Sequence, residues 1–123
     1  MKRILIAEDN LPSRELVREI LETEGYDVVE ASDGRQALEM IFTAKPDLVV
    51  MDIQMPGLDG FKVVSEIRQI PQFAKIPIVA LTAYAMAGDE ERILAAGFDA
   101  YTTKPIDAVV LTKQIERQLS QPA

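Results

Sequence analysis

The sequence predicts an α/β fold in which a parallel five-stranded sheet carries five helices on its two faces. Short apolar runs alternate with amphipathic segments five times within 123 residues. Such alternation implies right-handed strand–helix–strand crossovers and a parallel sheet. Three of the predicted strands are largely continuous apolar runs, which is typical of strands buried on both faces. No repeat, low-complexity tract or linker divides the chain, so we expect one domain over residues 1–119 and a short tail at 120–123.

The first two strand–helix units follow from apolar spacing and from capping residues. The first strand is predicted at residues 4–7. Asn10 is expected to cap the following helix and Gly25 to end it. The second strand is predicted within residues 26–32, and Asp33 opens the second helix. The apolar positions of these two helices are Leu16, Val17, Ile20, Leu21, Ala37, Leu38, Ile41 and Phe42.

The remaining units are predicted in the same way. Pro46 ends the second helix, and the third strand is predicted at residues 48–51. The fourth strand lies within residues 76–83 and the fifth within residues 99–104. The last three helices are predicted from Phe61, Val64, Ile67 and Arg68, from residues 88–96, and from Val109, Val110, Lys113, Ile115 and Leu119.

Composition excludes several classes of function. The formal net charge of −7 argues against direct nucleic-acid binding and against attraction to anionic membranes. The chain has no cysteine and no histidine, which excludes disulfides, thiolate metal sites and the usual general base. The apolar run at the N-terminus is too short for a signal peptide, and no run reaches the roughly 18 residues of a membrane helix. We therefore expect a cytoplasmic protein without membrane insertion.

Reactive side chains follow four of the five predicted strands. In open parallel sheets, ligands bind outside the carboxyl ends of the strands. The first strand leads to Glu8 and Asp9, the third to Asp52, the fourth to Thr82 and the fifth to Lys104. The second strand leads to no reactive group. Three acids, one hydroxyl and one ammonium are therefore expected at one edge of the sheet.

This set of groups suits phosphoryl transfer. Three neighbouring carboxylates repel one another unless a cation lies among them. Because the candidate ligands are all oxygens, Mg²⁺ is the expected ion, with Mn²⁺ as its substitute. Lys104 and Thr82 add a positive charge and a hydroxyl donor, which together can hold a phosphoryl group. A carboxylate is also a known nucleophile that forms an aspartyl phosphate.

Four segments then resemble the response-regulator receiver domain, in order and in context: "IAEDN", "VVMDIQMPGLDG", "ALTAYA" and "YTTKP". The resemblance extends from residue 1 to about residue 119. It implies the flavodoxin-like strand order 2-1-3-4-5. It also implies a signalling protein that catalyses its own aspartate phosphorylation and slow dephosphorylation. The phosphoryl donor would be a sensor histidine kinase or a histidine phosphotransfer protein.

The resemblance assigns expected roles to the acids at the sheet edge. Asp52 resembles the phosphoacceptor. Asp9 resembles the direct Mg²⁺ ligand, and Glu8 resembles an acid that acts through water. The backbone carbonyl of Gln54 would be a further metal ligand.

The resemblance also implies how the signal is read. Thr82 and Lys104 would each bind a phosphoryl oxygen, and Tyr101 resembles the aromatic switch that follows Thr82. The Lys104–Pro105 bond resembles a cis bond of the family. The surface formed by the fourth helix, fifth strand and fifth helix would bind an effector. Gln54 and Tyr84, two residues after Asp52 and Thr82, would flank the phosphoryl group, and the bulk of Tyr84 predicts slow dephosphorylation.

Each residue taken singly also has a structural interpretation. Asp52 can be a turn acid, Glu8 and Asp9 can cap a helix, and Lys104 can be a solvated lysine. These interpretations do not explain why all these groups end neighbouring parallel strands.

Four alternative functions have weaker support in the sequence. An aspartate phosphatase of the haloacid-dehalogenase type would need a second acid where Gln54 stands. A flavodoxin would need a hydroxyl-rich loop where "AEDN" presents negative charge. A degenerate receiver acting only as a binding module is disfavoured by the full acid set. The chain can also be a receiver fragment of a hybrid kinase or multidomain regulator, although its start directly before the first strand favours a single-domain protein.

Overall fold

The computed structural model describes residues 1–54, 60–83 and 89–120. It contains five strands, five α-helices and a short 3-10 helix, Pro71–Phe73, that the apolar pattern did not predict. The strands are β1 Arg3–Ala7, β2 Asp27–Ala31, β3 Leu48–Asp52, β4 Ile78–Thr82 and β5 Ala100–Thr103. The helices are α1 Leu11–Thr23, α2 Gly34–Ala44, α3 Gly60–Arg68, α4 Asp89–Ala95 and α5 Ala108–Ser120. None of the helices within these described ranges has the length and apolar character needed to cross a membrane.

The sheet is parallel throughout and has the order β2-β1-β3-β4-β5, which confirms the expected topology. The register aligns the carboxyl ends of the strands. Ala7 lies opposite both Ala31 and Met51, and Asp52 lies opposite Leu81. Strand β3 thus continues through Asp52, one residue beyond the predicted strand. The acid at the end of β3 is therefore part of the sheet and not part of the following turn.

Helices cover both faces of the sheet, as the continuous apolar strands predict. One core cluster joins strand side chains to Val17 and Leu21 of α1 and to Leu111 and Ile115 of α5. The other cluster joins the strand side chains of the opposite face to side chains of α2, α3 and α4. Every residue of β3 and β4 is buried. Full burial of each large aliphatic side chain contributes about 1.5–3 kcal/mol, which makes these central strands a rigid support for their carboxyl ends.

Side chains cap the first two helices, and the predicted cap Asn10 is one of them. The side chain of Asn10 accepts a hydrogen bond from the Ser13 amide at 2.9 Å, and Asp33 accepts one from the Gln36 amide at 2.8 Å. Gly25, just beyond α1, has a φ of 90°, a conformation that favours glycine. These contacts satisfy amide groups that the first turn of a helix leaves unpaired.

The apolar positions predicted for the helices are not all buried. Phe42 is 51% exposed and packs edge-on against Phe73, with ring centroids 5.8 Å apart. In α5, Val109 and Val110 are exposed, whereas Leu111 is fully buried. Helical spacing identifies which side chains share a face, but the width of the buried stripe depends on how closely each helix approaches the sheet.

Candidate functional site

The three acids predicted at the sheet edge come together in the structure. Glu8 follows β1, Asp9 follows Glu8, and Asp52 ends β3. One carboxylate oxygen from each lies within 4.8 Å of the others. Glu8 is fully buried, Asp52 is 3% exposed, and Asp9 is exposed. The site thus combines two buried acids with one exposed acid.

The ammonium of Lys104 lies between the two buried acids. Its Nζ donates to Glu8 Oε1 at 2.6 Å and to Asp52 Oδ2 at 2.9 Å. The backbone amide of Lys104 donates to the Thr82 carbonyl at 2.8 Å, which fixes the lysine beside the end of β4. The Lys104–Pro105 peptide bond is cis, as the resemblance implies. Lys104 is therefore already engaged in the site.

The carboxylate of Asp52 is held through both oxygens. Oδ1 accepts the backbone amide of Gln54 at 2.9 Å, and Oδ2 accepts from Lys104. The amide of Gly60, at the start of α3, donates to the Ile53 carbonyl at 2.9 Å. A Cβ at Gly60 would lie 2.7 Å from Ile53 Cα and 2.9 Å from the Asp52 carbonyl oxygen. Only glycine therefore allows α3 to begin this close to Asp52.

Burial and charge shift the pKa values of Glu8 and Lys104, the two side chains that face Asp52. Burial raises the pKa of Glu8 to about 7 from its ordinary 4.5, and the hydrogen bond and negative charge of Asp52 act in the same direction. Lys104 partly offsets that rise. Burial lowers the pKa of Lys104, but the hydrogen bonds and the negative charges of Glu8 and Asp52 together outweigh burial and raise that pKa overall. The ammonium therefore stays protonated, while Glu8 ionises reluctantly near neutral pH.

The predicted phosphoryl-binding and switch residues lie on neighbouring strands. Thr82 ends β4 and is 3% exposed. Tyr101 of β5 is partly buried and lies opposite Ala80, two residues before Thr82. Paired residues of adjacent strands, and residues two apart in one strand, point to the same face of a sheet. Thr82 and Tyr101 therefore share one face.

The structure does not place every predicted residue. Tyr84 and the segment 55–59 that follows Gln54 lie outside the described residues. The backbone amide of Gln54 faces Asp52, as its hydrogen bond shows.

One residue at the site was missed from the sequence. Arg14, in α1, donates from Nη1 to the Glu8 backbone carbonyl at 2.9 Å and from Nε to Glu30 Oε1 at 3.1 Å. The Glu8 amide in turn donates to the Ala31 carbonyl at 3.1 Å. An arginine in the first turns of an amphipathic helix gives no sequence signal of such a contact. Strand β2, which leads to no reactive group, thus supports the acid pair from the side.

The donor set fits a hard divalent cation. If all three carboxylates are ionised, the ammonium of Lys104 leaves two negative charges unbalanced in a largely buried cluster. Carboxylate and carbonyl oxygens are the ligands that Mg²⁺ prefers. Burial, and after it the neighbouring Asp52, raises the pKa of Glu8, so ionising this acid beside a second carboxylate is unfavourable. A divalent ion would relieve that repulsion.

Comparisons with known proteins bear on this site. Residues 4–116 match the family model described as "Response regulator receiver domain". The chain is 37% identical to the polar-differentiation response regulator DivK of Brucella anthropi, over 96% of each protein. It is 40% identical to hybrid signal transduction histidine kinase I of Dictyostelium discoideum, covering 96% of this chain but 7% of that protein. The chain thus spans a small part of the length of that kinase.

Solved structures show the same architecture. The crystal structure described as a putative response regulator from Chloroflexus aurantiacus superposes with a TM-score of 0.93 at 29% identity, over 98% of both chains. The receiver domain of sensor histidine kinase PA1611 from Pseudomonas aeruginosa superposes with a TM-score of 0.90 at 34% identity, again over 98% of both chains. That structure holds a magnesium ion coordinated in its active-site cleft.

Proposed function

Because this chain belongs to the response regulator receiver domain family, we propose that Asp52 accepts a phosphoryl group from a phosphohistidine and that its phosphorylation switches partner binding. The observation that carries the proposal is the environment of Asp52. Its carboxylate ends a fully buried central strand, both its oxygens are hydrogen-bonded, and Glu8, Asp9 and Lys104 surround it. A turn acid would need none of these neighbours.

The proposed reaction is a transfer between two side chains. An oxygen of Asp52 forms a bond to phosphorus while the bond from phosphorus to the donor imidazole nitrogen breaks. The imidazole leaves with the electron pair of that bond. The protein's contribution is to position the groups and to stabilise charge on the transferred oxygens. The chain thus catalyses its own modification and acts principally as a signal carrier.

The proposal includes a requirement for a divalent metal ion. Glu8, Asp9, Asp52 and the carbonyl of Gln54 would hold Mg²⁺, or Mn²⁺ in its place, which when bound neutralises charge on the acids and on the phosphoryl group. Glu8 would act through water, and Asp9 would act directly. The cluster of three carboxylates supports this assignment.

Lys104 and Thr82 are proposed to bind the new phosphoryl group. Lys104 exchanges a carboxylate partner for a phosphoryl oxygen, which keeps its charge paired. The Thr82 hydroxyl donates to a second oxygen. These contacts exist in only one of two conformations, so they shift a pre-existing equilibrium towards it.

The proposed readout is a movement of Tyr101. Thr82 and Tyr101 share one face of the sheet, so a shift of Thr82 towards Asp52 leaves space that Tyr101 can enter. The surface of α4, β5 and α5 would then bind an effector, and a histidine kinase or histidine phosphotransfer protein would supply the phosphoryl group. The proposal places this reaction in the cytoplasm. The match to a hybrid kinase supports the alternative that this receiver acts within a larger protein, with the same chemistry at Asp52.

The direct test is incubation with acetyl phosphate and Mg²⁺, followed by intact-mass measurement. We expect the mass of one phosphoryl group to be added, and the addition to be lost in Asp52→Asn and in excess EDTA. Asp27→Asn is the matched control, because Asp27 is an exposed carboxylate at the opposite end of the strands. An adduct that survives in Asp52→Asn, or no adduct in the wild type, would contradict the proposal.

A further inference from the structure

The Arg14 side chain bonds to the main chain of the Glu8–Asp9 pair. Its guanidinium reaches from α1 to the Glu8 carbonyl at 2.9 Å. The same group is anchored by Glu30 of β2, at 3.1 Å from Nε. The Arg14 side chain is only 17% exposed, so this contact is not that of a solvated surface arginine.

From this arrangement we infer that Arg14 is a positioning residue for the metal-binding acids, fixing the Glu8–Asp9 peptide so that Asp9 faces the site. The inference rests on the proposed function of the acid cluster. The Glu8 carbonyl and the Asp9 amide belong to one planar peptide group. A hydrogen bond that holds the carbonyl therefore also sets the orientation of the Asp9 backbone, and with it the direction in which the Asp9 side chain points.

The other contacts of Glu8 explain why Arg14 matters. The Glu8 carboxylate is held by Lys104 and, more weakly, by the Asn10 amide at 3.4 Å. The Glu8 amide is held by Ala31. These bonds hold the Glu8 side chain and its backbone amide. The peptide group between Glu8 and Asp9 is held by Arg14. Asp9 is exposed, so burial does not hold its carboxylate in place.

Glu30 is the carboxylate that anchors the Arg14 guanidinium. It accepts from Arg14 and from Arg18, and Arg18 also pairs with Glu22 at 3.3 Å. Arg14 also reaches the Glu8 carbonyl, whereas the described contacts of Arg18 are to Glu22 and Glu30. A planar guanidinium with donors in a fixed fork can contact a carbonyl and a carboxylate together.

Positioning and charge predict opposite results for Arg14→Gln. If only charge mattered, removing a positive group near three acids would strengthen cation binding. If Arg14 orients the acid pair, the same change weakens binding, and losses of about tenfold are typical when a group that orients a metal ligand is removed. The sign of the change in Mg²⁺ affinity therefore separates the two causes.

The experiment is a calorimetric Mg²⁺ titration of wild type, Arg14→Gln and Arg18→Gln. Arg18→Gln is the matched control. It removes a guanidinium that pairs with the same Glu30 carboxylate, but the described contacts of Arg18 do not include Glu8. We expect about tenfold weaker binding in Arg14→Gln and an affinity within about twofold of the wild type in Arg18→Gln. Unchanged or tighter binding in Arg14→Gln overturns the inference, as does an equal loss in both variants.

A second measurement does not depend on metal. In the metal-free protein, the ¹³C shift of the Glu8 carbonyl and the ¹⁵N shift of the Asp9 amide should change in Arg14→Gln and stay at wild-type values in Arg18→Gln. Urea unfolding of both variants shows whether they remain folded. If the wild type binds no Mg²⁺, the proposed metal site fails by itself. If the wild type binds and Arg14→Gln binds equally well, only the role of Arg14 fails.

Discussion

Glu8 and Lys104 are 96 residues apart in the chain, yet Lys104 Nζ lies 2.6 Å from Glu8 Oε1. The same ammonium lies 2.9 Å from Asp52 Oδ2. A cation supplied by the chain itself thus lies between two buried acids, and it ties the end of β1 to the segment that follows β5. This arrangement compensates part of the charge repulsion in the absence of metal. It also puts Lys104 within reach of any group that becomes attached to Asp52.

Loss of the Lys104 ammonium should destabilise the metal-free protein. We expect Lys104→Met to lower the free energy of unfolding by about 1.5–3 kcal/mol near pH 8, because two buried carboxylates lose a charged donor. Lys113→Met is the matched control, since Lys113 is exposed on α5, and its effect should stay within about 0.5 kcal/mol. Urea unfolding in EDTA measures both. Equal effects in the two variants would show that the Lys104 ammonium contributes no more to the unfolding free energy than an exposed lysine does.

The pH dependence of stability should change in Glu8→Gln. The pKa of Glu8 is raised in the folded state to about 7 from 4.5. Its stabilising contribution is therefore fully present below pH 4.5 and is lost as the pH rises through about 7. The raised pKa of Lys104 acts above 10.5, outside this window.

We accordingly expect metal-free Glu8→Gln to gain stability relative to the wild type between pH 5 and pH 8. The measurement is the difference in unfolding free energy between the two proteins in EDTA across that range. A difference that does not change with pH would contradict the assigned pKa of Glu8.

Gly60→Ala should disturb Asp52, the proposed phosphoacceptor, directly. The added Cβ would meet the backbone of Asp52 and Ile53 at less than 3.0 Å, so α3 or the end of β3 has to shift. We expect a loss of about 1–3 kcal/mol in unfolding free energy, together with slower phosphoryl uptake from acetyl phosphate.

Gly25→Ala is the control for this substitution. Gly25 has a φ of 90° with open space around it, so alanine there adds backbone strain without touching the site. We expect Gly25→Ala to lower the unfolding free energy by about 1 kcal/mol. The rate of phosphoryl uptake per folded molecule should stay unchanged. Equal rates in the two variants would refute the proposed link between Gly60 and Asp52.

Tyr84→Ala should accelerate loss of the phosphoryl group from Asp52. The expectation rests on sequence position, because a bulky side chain two residues after Thr82 would obstruct an attacking water. The measurement is the decay of the phosphorylated protein after removal of acetyl phosphate. Tyr26→Ala, which removes a tyrosine just before β2, is the control and should decay at the wild-type rate. Unchanged decay in Tyr84→Ala would refute the expectation.

The order of elements and the edge at which the reactive groups gather were predictable from local pattern. Buried parallel strands read as apolar runs, and the carboxyl ends of parallel strands meet at one edge. Asn10 was predicted as a cap because its short polar side chain can reach amides three residues ahead, and Asp33 was predicted to open the second helix. The strand order 2-1-3-4-5 came from the resemblance, and the structure confirms it.

Other features were beyond local pattern. The exposure of Phe42 and Val109 depends on how closely each helix approaches the sheet. The contact of Arg14 with the Glu8 carbonyl depends on where α1 crosses β2, and sequence spacing carries no trace of it.

By itself, the sequence determined which chemical groups the sheet edge presents, because residue type and strand periodicity are local properties. The tertiary structure decided how those groups act on one another: that Glu8 is buried and hard to ionise, that Lys104 bridges it to Asp52, and that Arg14 holds the peptide before Asp9. Those interactions depend on burial and on distances of a few ångströms between segments far apart in the chain. Packing of the whole domain sets such distances, and electrostatic energies change steeply with them.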